Sequence, residues 1–187
     1  MHKTYQLDFN DFNLKQQQFD HHSLLHGVMH TYRVMLHVLR LGLLTHHYAE
    51  AKNAFFAAYI HDMARKHDGY CTQHGTDAAN HKLPDYQELF IKNGATQKNM
   101  LSIGKACAMH SLGNELQKTD PDWLTVALLK DADALDRIRL GEDDLNVSYL
   151  RFSESHDQID FARKLYFQTN KMPLHSFVDV MKIGDTL

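Results

Sequence analysis

An all-helical bundle is the fold class this sequence predicts. Apolar residues recur at helical spacing along most of the chain, no segment alternates apolar and polar residues as a half-buried strand would, and only three prolines interrupt 187 residues. The length suits one domain with a genuine core. Without repeats, low-complexity tracts or a Gly/Pro-rich linker, residues 1–187 read as a single helical domain.

The elements follow in order. Residues 22–44 carry Leu25, Met29, Tyr32, Met35, Leu36, Leu39 and Leu43 along one stripe, which predicts a long core-facing helix. Residues 49–65 are rich in alanine and aromatics, with Phe55-Phe56 as core, and read as a buried helix. Residues 66–73 read as a loop. A helix opens near His74 and is interrupted or restarted at Pro84. Residues 95–111 form the next, before a turn at Gly113-Asn114. Asp120-Pro121 is a start signal, with Asp120 as N-cap and Pro121 in the first helical position. That helix runs to about Arg139 and Gly141 stops it. Residues 142–153 look irregular and residues 155–169 form a last helix. Residues 1–20 and 170–187 carry no assignment. Their aromatics Tyr5, Phe9, Phe12 and Phe177 are available to pack on the bundle or to make a homodimer contact.

Composition narrows the function classes. A net charge of −3 argues against a nucleic-acid polymer as partner. No apolar run approaches 18 residues, so no membrane span is expected. The polar N-terminus lacks the order of a secretion signal. Cys71 and Cys107 make no disulfide framework and no CxxC, are expected to be unreactive, and fit a reducing cytoplasm.

The histidines carry the chemistry. There are 15, and surface pairs such as His21-His22 and His46-His47 inflate that count, so position must decide. His30 lies in mid-helix, His61-Asp62 end an apolar stretch, His74 opens a helix and His110 ends one. Asp131, Asp133 and Asp136 lie in LLKDADALDRIRL. Each group belongs to a different helix, which is how a bundle builds a metal site. Imidazoles with carboxylates and no thiolate suit Mn, Fe, Ni, Co, Zn or Mg, as one or two ions, better than a structural zinc. Three or four protein ligands leave positions for water, whose pKa a divalent ion lowers. His74 and His110 are then candidates to hold phosphate, protonate a leaving oxygen, or complete a second metal site. His26 shares the His30 face as a buried or supporting residue, and Arg33 reads as a brace. Arg65 and Lys66 read equally as anion attractors or as a solvated helix end.

The order H…HD…H…H…D resembles the HD-domain phosphohydrolase superfamily. His30 sits in HTYRV, His61-Asp62 precede Met-Ala-Arg, His74 opens an HGxxAA segment, and Asp133 sits in A-D-x-L. The resemblance spans residues 22–150 and is similar to stand-alone bacterial members. It implies His30, His61, Asp62 and Asp133 as metal ligands, with Asp62 closest to the nucleophilic water, and Arg137 and Asp136 near the substrate. Periodicity reads the carboxylates differently. Two residues stand about 200° apart on a helix, so the apolar stripe selects Asp131 where the resemblance selects Asp133. Asp131 would otherwise be a buried carboxylate that orients a ligand histidine.

The expected function is metal-dependent hydrolysis of a small phosphorylated compound, nucleotides among the candidates. A di-iron oxygenase built from His30, His61, Asp62, His74, His110 and Asp133 is the alternative, and a non-catalytic metal-containing binding protein is a third.

Overall fold

The computed structural model describes residues 2–141, 143–171 and 173–187, and among these there is no strand. The α-helices are α1 (His2–Tyr5), α2 (Val28–Leu44), α3 (Tyr48–Ile60), α4 (His74–Asp77), α5 (Leu83–Lys92), α6 (Gln97–His110), α7 (Trp123–Leu135), α8 (Ser153–Asp157), α9 (Ile159–Thr169) and α10 (Phe177–Asp185). Helices α2, α3 and α7 pack on one another, and α6 closes against α3 and α7. The expected all-α bundle is what forms. No described helix is long and apolar enough to cross a membrane.

α3 is the central element. Ala51, Ala54, Phe55, Phe56, Ala57, Ala58, Tyr59 and Ile60 are all buried, so the helix is apolar on nearly every side. Its alanines let neighbours approach: a Cβ added to Gly42 of α2 would stand 2.2 Å from the Ala51 Cβ. The N-terminal aromatics cover the same helix. The ring of Phe12 meets Phe55 edge-on at 4.9 Å, and Phe9 meets Phe177 at 5.7 Å. Tyr5, Phe9, Phe12 and Phe177 therefore complete this core and are not free to form a dimer contact. Tyr5 Oη donates to the Leu39 carbonyl at 2.7 Å, satisfying the buried phenol.

Several boundaries differ from the sequence reading. α2 starts at Val28, six positions after residue 22. Ser23 Oγ accepts from the backbone N–H groups of Leu25 and His26, and this turn competes with helix. The segment read as one helix to residue 65 closes at Ile60 and continues as tight turns, with Met63 N on Ile60 O and Arg65 N on Asp62 O. Asp120 is not a helix cap. Its carboxylate accepts from Asp122 N and from Lys105, and α7 begins after a turn at residues 120–123. Thr96 and Asn99 form a capping box at α6. Residues 155–169 divide between α8 and α9, and α10 was not foreseen. Of the segment read as irregular, 143–153 contains a 3₁₀ turn at Val147–Tyr149, and Glu142 lies outside the described residues.

α7 runs into a 3₁₀ helix, Asp136–Leu140, which ends at Gly141 with φ 156°. A 3₁₀ segment eclipses residues three apart. Asp136 and Arg139, already neighbours at α-helical i, i+3 spacing, are thereby brought into closer register.

Asp131 is fully buried and faces away from the histidines. It accepts from Arg151 N at 2.8 Å, Phe152 N at 3.1 Å, Ser155 Oγ at 2.7 Å and Arg151 Nη1 at 2.9 Å. It anchors the start of α8 and orients no ligand histidine. Asp131→Ala should cost about 2–4 kcal/mol in urea denaturation, because it leaves the Arg151 and Phe152 amides and the Ser155 hydroxyl without their acceptor, while Arg151 keeps its pairing with Glu115. Its metal content should match wild type.

His37 offers a second test. Neither ring nitrogen finds a hydrogen-bond partner among the described residues, and burial pushes its pKa down to about 4. The unfolded chain binds this proton near 6.5, so the His37 contribution to stability falls as pH drops from about 6.5 to about 4. His37→Leu should lose that share of the acid sensitivity, seen as a smaller drop in melting temperature than wild type between pH 7 and pH 5. Parallel curves for the two proteins would contradict this.

Candidate metal centre

The site assembles where five helices end or begin. His61 and Asp62 follow the last turn of α3, His74 opens α4, His110 ends α6, and Asp133 lies in the last turn of α7. His30 comes from the first turn of α2. The structure brings all six together. His30 Nε2 lies 3.2 Å from His61 Nε2, 3.3 Å from Asp133 Oδ1 and 3.4 Å from Asp62 Oδ2. His74 Nε2 lies 3.0 Å from His110 Nε2 and 3.1 Å from Asp62 Oδ1.

Each ring is held by its other nitrogen. His61 Nδ1 is 2.6 Å from Ala58 O, His74 Nδ1 is 2.9 Å from Cys71 O, and His110 Nδ1 is 2.6 Å from Cys107 O. The partner in all three is the carbonyl three residues back. A carbonyl only accepts, so Nδ1 carries the proton and Nε2 presents its lone pair inward. His30 does the same through a carboxylate, with Nδ1 2.7 Å from Asp136 Oδ2. Two inward lone pairs at 3.0 Å repel unless a proton or a metal cation lies between them. The donor set therefore fits a divalent cation. Three triplets place one donor atom each within 4.8 Å of one another: His30, His61 and Asp133; His61, Asp62 and His110; and His26, His30 and Asp62.

Electrostatics point the same way. Burial opposes charge on Asp62, yet the surrounding imidazoles outweigh it and hold the carboxyl well below the usual range. Asp133 is held low against burial by its hydrogen bond to His30. Burial and Arg139 both oppose a charged His30, but its contacts with Asp133, Asp136 and Asp62 raise it to about 9. Burial pushes the facing His61 down to about 3. This cluster of carboxylates calls for positive charge at the His30 Nε2 position, and a divalent ion supplies it as a proton would. Burial pushes the Cys107 thiol up, so it offers no thiolate.

The cluster borders a cavity of about 340 Å³, whose wall includes Arg65, Arg137 and Arg139. Gly75 permits the close seat of α4 on α6, since a Cβ there would stand 2.4 Å from Cys107 O and 2.9 Å from His110 Nδ1.

Two expectations change. Asp136 is not beside a substrate: it is 1% exposed and lies behind His30, gripped by Arg33 Nε at 2.6 Å and Nη2 at 3.1 Å. Arg33 is thus the brace expected, acting through Asp136. Arg137 reaches the cavity edge but is paired with Asp144 at 2.6 Å. Sequence reasoning gave no role to Arg139, and left His26 undecided. His26 Nδ1 stands 3.0 Å from Asp62 Oδ2, held there by the Ser23 turn. The i, i+3 spacing Asp133, Asp136, Arg139 was the available signal for Arg139. Lys66 pairs with Asp20, leaving Arg65 as the cation that touches Asp62.

Replacing the carboxylate that orients His30 should weaken the centre without removing a ligand. Asp136→Asn should bind manganese about 10–100-fold more weakly in calorimetric titration. Equal affinity would remove Asp136 from the centre.

No family model, curated protein or solved structure matches this chain, so the geometry of the site carries the functional argument.

Proposed function

We propose that this chain is a metal-dependent phosphohydrolase of the HD-domain type, acting on a small phosphorylated compound. The observation that carries the reading is the convergence of His30, His61, His74 and His110 through Nε2 on Asp62 and Asp133, beside a cavity walled by arginines. His30, His61, Asp62 and Asp133 would hold the metal. A divalent ion at such a site supplies an acidified water and charge to offset phosphate.

The residues around it divide the remaining work. The cavity wall holds Arg65 and Arg139 against Asp62, Asp68 and Asp133, a formal balance of −1, with Arg137 at the edge neutralised by Asp144. A divalent ion tips that balance to about +1, which suits a phosphate anion better than a neutral or cationic substrate. Asp62 Oδ2 faces His26, His30 and His61, while Oδ1 faces His74, His110 and Arg65. That division supports a carboxylate able to serve two ions, with His74 and His110 as the second set. Where one ion binds, His74 and His110 are placed to hold the phosphoryl group or to pass a proton to its leaving oxygen. The two free thiols accord with a cytoplasmic location, which belongs to the same proposal.

The same six side chains support a second reading, oxygen activation by two irons. A visible or near-ultraviolet iron band with oxygen-dependent turnover would favour it.

The test is a phosphate-release screen over nucleotides and sugar phosphates with Mn, Co, Ni and Mg, beside metal analysis of the purified protein. Wild type should hold close to one or two ions and release phosphate from at least one compound, and Asp62→Ala should fall to background, a loss of about 10³-fold or more. An Asp62→Ala protein as active as wild type, or a fully loaded wild type inert on every phosphorylated compound, would sink the reading.

A further inference from the structure

The charges around the cavity are unequally matched. Arg65 Nε donates to Asp62 at 2.8 Å, and Arg137 is paired with Asp144 at 2.6 Å. Behind the cluster, Arg33 holds Asp136. Arg139 differs from all three. Among the described residues its hydrogen bonds go to backbone carbonyls, Nε to Leu25 O at 2.8 Å and Nη1 to the Asp136 carbonyl at 3.1 Å, while Nη2 stands 3.2 Å from His26 Nδ1, a nitrogen whose proton is directed to the Asp62 carboxylate. Among the described residues its one carboxylate contact within 4 Å is Asp136 Oδ2, at 3.8 Å from Nη1. That is beyond hydrogen-bond reach, and the Asp136 carboxylate is already engaged by Arg33 and His30. Asp133, whose charge Arg139 also feels, is turned to His30 Nε2.

The Arg139 side chain is only 5% exposed, yet it borders the cavity. A charge so far from water needs a counter-charge, and no carboxylate of the described residues hydrogen-bonds to it. A guanidinium has five N–H donors. Two are engaged, on Nε and Nη1, leaving unfilled donors on both terminal nitrogens. The position is telling as well. Arg139 touches His26, and His26 touches Asp62, so the guanidinium stands two contacts from the centre of the cluster. The 3₁₀ segment that follows α7 is what turns it there, while Arg137 points outward to Asp144.

We propose that Arg139 is the anion-binding residue of this cavity and grips the phosphoryl group presented to the histidine cluster. The proposal rests on the phosphohydrolase reading for the identity of the anion. A fixed guanidinium fork with unfilled donors on both terminal nitrogens matches two oxygens of a phosphoryl group, which a point charge does not. Arg137, the arginine that the sequence pattern favoured, is exposed and already neutralised, so it lies outside the binding machinery.

Inorganic phosphate is the probe. Its affinity is measured calorimetrically for manganese-loaded wild type, Arg139→Gln, Arg139→Lys and Arg137→Gln, after metal content has been confirmed equal. Arg139→Gln should bind phosphate about 10–100-fold more weakly. Arg139→Lys should lose about fivefold or more, because it keeps the charge but not the fork. Arg137→Gln should stay within about twofold of wild type, as expected for an exposed ion pair. Wild-type affinity in Arg139→Gln overturns the proposal, as does an equal loss in Arg137→Gln. If Arg139→Gln fails to fold, wild-type affinity in Arg139→Lys overturns it. Loaded wild type that binds no phosphate overturns it too. Phosphate bound through Arg139 in a protein that hydrolyses no phosphorylated compound would instead keep the anion site and reject the hydrolase reading.

Discussion

Taking an ionised carboxylate out of water costs several kcal/mol unless partners replace the lost hydration. Asp62 is 3% exposed and held ionised, and the local architecture follows from meeting that requirement. Its partners arrive from separate parts of the chain: Arg65 from the turns after α3, His26 from the Ser23 turn, His30 from α2, His74 from α4 and His110 from the end of α6. Asp62 is therefore the point at which these elements are tied to one another, and displacing any of them leaves a buried charge less well compensated.

Positioning the imidazoles uses backbone groups that helix ends leave spare. The last carbonyls of a helix lack intrahelical donors. Ala58 O and Cys107 O are such carbonyls, and His61 and His110 satisfy them through Nδ1. One hydrogen bond thus completes a helix terminus and sets a tautomer. His30 sits at the other end of its helix, where N–H groups are spare and carbonyls are not, so its Nδ1 needs a side-chain acceptor. Asp136 is that acceptor, and Arg33 in turn compensates Asp136. His30 also stands apart electrostatically: against burial and Arg139, its contacts with Asp133, Asp136 and Asp62 raise it to about 9, where burial pushes His61 down to about 3.

Much of this was legible in the sequence, and what was missed has physical causes. The helical bundle followed from periodicity, and the ordered histidines with Asp62 followed from their residue types and helix assignments. The choice between Asp131 and Asp133 did not follow from periodicity. Asp131 does lie on the buried stripe, but burial there serves Arg151 and α8 rather than the histidines. An apolar stripe marks what is inside, not what is at the site. Arg139 escaped notice because it lies at the end of the segment read as one α-helix, and the tightening to 3₁₀ after Leu135, which seats it at the cavity, is a tertiary outcome. The start of α2 was misplaced because Leu25 fits the stripe, although the Ser23 hydroxyl captures the amides a helix would need. α10 had a readable start, Ser176 with Asp179 three residues on, and Ser176 does accept from Asp179 N.

The two ends of α3 explain how one fold carries both a dry core and a polar centre. Phe55, Phe56 and Tyr59 meet the aromatic rings of Phe12, Phe90 and Tyr86. Their packing uses no polar group of the centre. Two residues beyond Tyr59 the helix gives way to tight turns, and His61 and Asp62 emerge among charged neighbours. Stability of the aromatic core and occupancy of the centre are in this way carried by different residues of one continuous segment. Substitutions at the imidazoles and at Asp133 leave the aromatic packing intact, so their effects report on the centre. Asp62 is the exception, because its neighbours are oriented toward its charge. Removing that charge without a cation in place leaves Arg65 with one fewer acceptor and the inward imidazoles facing one another. A divalent cation bound beside Asp62 relieves the same crowding from the opposite direction, by accepting the lone pairs the rings already present. Ligand geometry fixed before the cation arrives is the condition for tight binding without further ordering of the chain.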